Sequence, residues 1–338
     1  MTPTWPERQV AERLFEVVPG VWRVPVPTPF AVGEVNVYLV DGTAPVMVDA
    51  GLAGTRTRDC LREALAAAGR RVEDVATLLV THSHVDHAGG AGDVHAASGC
   101  AVRAHERALA SVRDVAGHFA SYAPWFGRFL RRSGFSDETI SRHAEMARAL
   151  RFGSRGVPDP VAIGQGDEVD AGGRMLVAHE SPGHASDHVS FLLAGEGVLF
   201  TGDHVLPEIS PNPTLEAPRP GDAEKPRALL QFRESLPRIA ALPVRVACPA
   251  HGLPFADLAG RCRELLDHQA GRVARVREIL LASGPMTRKT LSREVFGEVK
   301  LWDVYLGLSE VAAAVEVLEA DGLAIVEDGG AVDLVRAL

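Results

Sequence analysis

The chain has 338 residues, 46% of them hydrophobic and 23% charged, a composition that excludes a disordered, collagenous or coiled-coil protein and suits one large domain or two. Its 44 Asp and Glu against 35 Lys and Arg leave a net charge of −9, so no global field draws it to nucleic acid or anionic lipid. Cys60, Cys100, Cys248 and Cys262 form no Cys-x-x-Cys pair, which excludes a thiolate zinc site and a dithiol redox motif and points to buried thiols in a reducing compartment. The start, Met1-Thr-Pro-Thr-Trp-Pro-Glu-Arg, has no basic and apolar leader, and no run of about 18 apolar residues follows, so the expectation is a cytoplasmic protein without membrane contact.

Short β-branched runs at Val21–Val26, Val35–Val40 and Pro45–Asp49 predict an antiparallel meander. Leu61, Ala64, Leu65 and Ala68 then share one face of a helix from Thr55 to Gly69, followed by a strand over Thr77–Val80, a helix near Ala88–Ser98 and a strand near Cys100–Ala104. Residues from about 105 to 155 read as a helical, Arg-rich insertion, with Ser136 as an N-cap. Residues 100–160 hold ten Arg against six Asp and Glu, opposite in sign to the whole chain. Two hairpins follow, turning at Gly172-Gly173 and at Gly195-Glu-Gly197. Beyond a Pro-rich stretch come a helix near Arg227–Ala241, a strand over Val244–Ala247, and a long helix over Leu258–Ala282 interrupted near Gly271. The remainder, helices near Thr287–Phe296 and Leu306–Asp321 and a ribbon around Asp328-Gly-Gly330, has the layout of a winged helix.

The chemistry concentrates at one strand end. His82, His84, Asp86 and His87 place three imidazoles and a carboxylate within six residues, a donor set suited to zinc that leaves coordination positions for water. The other donors at strand-to-loop transitions beside Gly or Pro are His184, Asp203 and His251. Neither Gly-x-Ser-x-Gly nor His-Glu-x-x-His occurs, so the familiar nucleophile and single-zinc motifs are absent.

His82-Ser-His84-Val-Asp86-His87, followed in order by Gly183-His184, Gly202-Asp203 and His251-Gly252, resembles the metallo-β-lactamase superfamily over roughly residues 15 to 255. The resemblance implies an α/β fold, a four-layer αββα sandwich. It implies two metal ions, zinc with iron or manganese as alternatives: His82, His84 and His184 on the first, Asp86, His87 and His251 on the second, and Asp203 bridging. Asp86 and Asp203 become the expected catalytic carboxylates. Asp49 and His188 would stand behind the ligands, while His204, Trp125 and Phe126 are candidates to face substrate. With Asp203 where some lactamases carry cysteine, and with both Asp86 and His87 kept, the site is closer to the glyoxalase II type. His84 argues against the flavo-diiron branch, which carries glutamate there.

Residues 1–262 are therefore expected to form the catalytic domain and 263–338 a winged-helix-like domain, similar to the appendage of the lactamase-β-like ribonuclease group. The would-be recognition helix carries Glu310, Glu316, Glu319 and Asp321 and no Lys or Arg, so DNA is not expected on it. Packing or homodimer formation is. The function expected is a hydrolase in which a dimetal-bridging hydroxide cleaves a thioester or related ester of a small, anionic substrate. The alternatives are an endoribonuclease acting on single-stranded RNA and a non-enzymatic winged-helix regulator.

Overall fold

Alternation of side chains along the strands builds two sheets back to back. In the computed structural model, which describes residues 14–219, 221–298 and 301–338, the first sheet holds seven strands: β1 (Phe15–Val18), β2 (Val21–Pro27), β3 (Glu34–Val40), β4 (Val46–Val48), β5 (Thr77–Leu79), β6 (Ala101–Ala104) and β7 (Val161–Ala162). The second holds β8 (Glu168–Asp170), β9 (Met175–Glu180), β10 (Val189–Leu193), β11 (Val198–Gly202) and β12 (Val246–Pro249), in the order β12-β11-β10-β9-β8. The leader-free reading of the first eight residues lies outside the described residues.

Tyr38, Val40, Val46, Val48 and Leu79 of the first sheet meet Phe191, Leu193, Val198, Phe200 and Cys248 of the second in one buried cluster. Their chain neighbours turn the other way. Leu39, Met47 and Leu78 pack beneath α1 (Thr55–Ala67), and Leu192, Leu199 and Ala247 pack beneath α7 (Ala228–Ala240) and α8 (Leu258–Ser283). A period of two on both sheets thus yields the expected helix–sheet–sheet–helix layering, with central strands such as β4, β10 and β11 buried on both faces.

Between β5 and β6 the expected single helix splits into α2 (Val85–Ala88) and α3 (Ala91–Ser98). The break falls at Gly89-Gly90, where the Gly90 amide donates to Gly51 O at 2.7 Å. The insertion forms α4 (Leu109–Arg113), α5 (Val115–Arg132) and α6 (Asp137–Leu150), the last capped by Ser136 Oγ, which accepts from the Thr139 amide. The C-terminal part comprises α9 (Arg288–Phe296), α10 (Leu301–Ala320) and a ribbon of β13 (Ala324–Asp328) and β14 (Asp333–Ala337).

One expectation needs correction. Helix α8 runs without interruption through Gly271, because a side chain there would meet open space and packing of Leu265, Val276 and Leu280 outweighs a glycine cost of about 1 kcal/mol. Helix α10 packs on several sides. Leu308 and Ala312 pack on Phe126 and Leu130, Ala313 and Val317 on α7 and α8, and Val311, Val315 and Leu318 on α9 and the ribbon. Two of its carboxylates are engaged inward as well: Glu316 pairs with Lys225, and Glu310 faces Arg272.

Candidate metal centre

The donors gather where strands end. Antiparallel pairing of β9 and β11 on either side of β10 makes those two strands parallel to each other and to β12, so their C-terminal ends share one edge. Hydrogen bonds from Val189 N to Thr81 O (2.7 Å) and from Asn36 N to Ala250 O (2.6 Å) tie that edge to the first sheet. Asp49 follows β4, His82 and His84 follow β5, Asp86 and His87 lie on α2, His184 lies between β9 and β10, and Asp203 and His251 follow β11 and β12.

Side-chain donors form two groups, His82–His84–His184 and Asp86–His87–His251, and a third made of His82, His87 and Asp203 overlaps both. His84 Nδ1 stands 2.9 Å from His82 Nε2 and 2.9 Å from His184 Nε2. Asp86 lies 3.9 Å from His87 Nε2 and 3.7 Å from His251 Nε2. Asp203 Oδ2 is 3.5 Å from the Nε2 of both His87 and His184, and its Oδ1 is 3.6 Å from His251 Nε2. One carboxylate therefore faces both groups.

The atoms behind the rings decide which nitrogen is free. His184 Nδ1 donates to Asn212 O (2.8 Å), His251 Nδ1 to Glu34 O (2.6 Å) and His87 Nδ1 to Asp49 Oδ2 (2.9 Å). Thr81 Oγ1 donates to Asp49 Oδ2 at 2.9 Å and accepts from His82 Nδ1 at 3.1 Å. With those protons placed, Nε2 is the nitrogen each of these rings turns toward the cleft, the one a cation would take. His87 Nε2 and Asp203 Oδ1 are buried without a hydrogen-bond partner, as atoms poised for a cation would be. The residues present fit a pair of divalent metal ions.

Electrostatics agree. Burial, with His84 adding to it, pushes His184 down to about 4; burial and the nearby imidazoles of His87 and His84 hold His82 well below its ordinary value. Both rings are neutral at physiological pH. Burial acts downward on His87 too, but Asp203, Asp86 and Asp49 outweigh it and hold that ring above its ordinary value. Burial opposes ionisation of Asp203, yet His251 and His87 pull its carboxyl well below the usual range. Three carboxylates around buried imidazoles call for positive charge, which a cation supplies.

Asp49 is 2% exposed and adopts φ 61°, a left-handed conformation uncommon outside glycine. Its amide donates to Leu79 O, and its carboxylate takes the Thr81 amide as well as the two side chains. Asp49→Asn sets an amide N–H against either the His87 Nδ1–H or the Thr81 donors. We expect metal affinity to fall about 10- to 100-fold, read by competition with a chromophoric chelator; wild-type affinity would show that Asp49 does not orient the ring.

His188 also stands behind the ligands. Its Nδ1 meets Ser181 Oγ at 2.8 Å, and its Nε2 accepts from the Asp203 amide at 3.2 Å. A Cβ on Gly202, at φ 50°, would come within 2.5 Å of that Nε2, so glycine is needed for the close approach of this ring rather than for an ion. Two sequence candidates are corrected. His204 has no exposed surface; its ring stacks on Phe232 at 5.0 Å with Ser235 Oγ 3.3 Å from its Nε2. Phe126 is 8% exposed within a cluster that includes Tyr305 and serves packing of the insertion. Trp125 is half-buried and stacks on Phe129 at 5.2 Å. Thr81, Glu34 and Asn212 were not singled out from sequence; the last two act through main-chain carbonyls, which leave no trace in residue type.

A model of the metallo-beta-lactamase superfamily matches residues 31–251, a span holding all the donors. The chain is 31% identical over 310 residues to a Bacillus subtilis (strain 168) protein named Probable metallo-hydrolase YqjP, covering 88% of this chain and 91% of that one. A crystal structure of a metallo-beta-lactamase family protein from Thermus thermophilus is similar with TM-score 0.81 and 29% identity, covering 96% of this chain and 100% of that one. A beta-lactamase domain protein from Burkholderia ambifaria, at TM-score 0.83, 24% identity and 100% and 97% coverage, shares the fold.

Proposed function

The chain belongs to the metallo-β-lactamase superfamily, and from that membership we propose that this metallo-hydrolase holds two metal ions and cleaves a thioester or related ester of a small, anionic substrate. Zinc is the proposed metal, with iron or manganese as alternatives. The observation that carries the reading is the position of Asp203, 3.5 Å from Nε2 of a histidine in each donor group.

His82, His84 and His184 would hold one ion and Asp86, His87 and His251 the other, with Asp203 between them. When bound, such a pair supplies an acidified water and polarises the oxygen of the scissile carbonyl. The chain's own part is to present unprotonated Nε2 atoms, through the Nδ1–H bonds to Asp49, Asn212 and Glu34, and to hold Asp203 through the His188 ring. Asp86, its side chain 13% exposed, is the carboxylate proposed to orient the attacking water. Cys248 offers no nucleophile: it is fully buried, and burial pushes its thiol up.

Small substrates are favoured over polynucleotide by the ion pairs that engage five of the insertion's arginines. Arg107 faces Asp222, Arg131 faces Asp137, Arg132 faces Asp328 and Asp333, Arg142 faces Glu138, and Arg155 faces Asp93. Charge neutralised in this way grips a phosphate chain weakly. The test is a turnover panel of acyl thioesters with and without a phosphorylated carrier, simple esters, a lactam and single-stranded RNA, each with a chelated control. Chelator-sensitive thioester or ester turnover is expected. RNA cleavage alone, with binding that falls steeply with salt, would replace the reading with a ribonuclease; nucleic-acid binding without hydrolysis would replace it with a regulator.

A further inference from the structure

Residues 212–216 run between the donor His184 and the C-terminal helix, and their two edges are used differently. On one edge, Asn212 O accepts from His184 Nδ1 (2.8 Å), the Thr214 amide donates to His184 O (3.0 Å), and the Glu216 carboxylate takes both the amide and the hydroxyl of Ser186 (2.6 Å each). The loop bearing His184 is thus gripped at three successive points. On the other edge, Asn212 Nδ2 donates to Leu306 O (3.0 Å), Tyr305 Oη donates to Leu215 O (3.0 Å), and the Leu215 amide donates to Ser309 Oγ (3.4 Å). All three of those partners lie on α10, and Leu215 itself is buried beside Leu308 and Ala312.

We propose that this strap makes α10 part of the metal centre, with Asn212 and Tyr305 as positioning residues that act through His184. The inference rests on His184 being a metal ligand. The carbonyl that receives the His184 Nδ1 proton fixes both tautomer and ring angle, and its own place is set by anchors along the start of a helix whose following turns, Gly307 to Val315, are buried except at half-buried Glu310. Loosening either anchor lets that carbonyl drift while the other histidine and aspartate donors, steadied by Asp49, Glu34 and His188, stay where they are.

Zinc-loaded full-length protein titrated with a chromophoric chelator tests this. The variants are Asn212→Ala and Tyr305→Phe, the second keeping the ring and removing only the hydroxyl, so that it carries the test should the first fail to fold. The control is Arg132→Ala, which severs α5 from the ribbon at Asp328 and Asp333 without touching the strap. Wild type is expected to hold two ions per chain. Asn212→Ala and Tyr305→Phe should release one of them at about tenfold lower chelator concentration and the other unchanged, while Arg132→Ala releases both as wild type does. Wild-type release from Tyr305→Phe, or equal weakening by Arg132→Ala, would overturn the strap and leave the metal assignment standing. Wild-type protein that binds no zinc would overturn both.

Discussion

Asp203→Ala is expected to empty both metal positions and to lower turnover by about three orders of magnitude or more, with the C-terminal helices still folded. The carboxylate faces His87 and His184 at once, at 3.5 Å from each, and also His251 at 3.6 Å. Its removal leaves the imidazoles around a space that has lost the negative charge facing both donor groups. Polarisation and water activation by such ions supply several kcal/mol of transition-state stabilisation, and each 1.36 kcal/mol is about tenfold in rate, hence the size of the loss. Elemental analysis, turnover and far-ultraviolet circular dichroism on one preparation check it. A variant with two ions and full activity would remove Asp203 from the centre.

Phe232→Ala is the substitution expected to cost the most stability. The ring is fully buried in the cluster formed by Leu199, Leu229, Leu236 and Leu265, and it stacks on His204 at an interplanar angle of 18°. It also fills the space beside Gly183, where a Cβ would lie 2.4 Å from the ring. A cavity there should lower unfolding free energy by about 3–5 kcal/mol, seen as a lower denaturant midpoint at unchanged slope. Because Gly183 precedes His184, zinc affinity should fall with it. A loss below about 1 kcal/mol would mean that the loop collapses into the space and the ring is no keystone.

The donors were legible in sequence because they are local or punctuated. His82, His84, Asp86 and His87 fall in one loop and one short helix, and His184, Asp203 and His251 each stand beside a glycine at a strand end, where the chain must turn. The strands were legible because both faces of the two sheets are buried, leaving dense β-branched runs such as Val35–Val40. The two-residue β7 and the mostly exposed β1 carry no such run; ladder pairing alone makes them strands. His204 was misplaced because adjacency to Asp203 says nothing of direction in a turn as tight as Gly202 allows. Asn212 and Glu34 were beyond reach because main-chain carbonyls do the work there. The continuity of α8 through Gly271 reflects packing on α7 and α10, which no local propensity contains.

If two donor groups and a shared aspartate hold a working pair of ions, metal content of the purified protein and its ester and thioester turnover move together before chelation, after chelation and after metal is restored. About two ions per chain are expected, with activity lost on their removal and regained on their return. Full turnover by protein stripped of metal, or a purified chain that holds none, would rule the pair out.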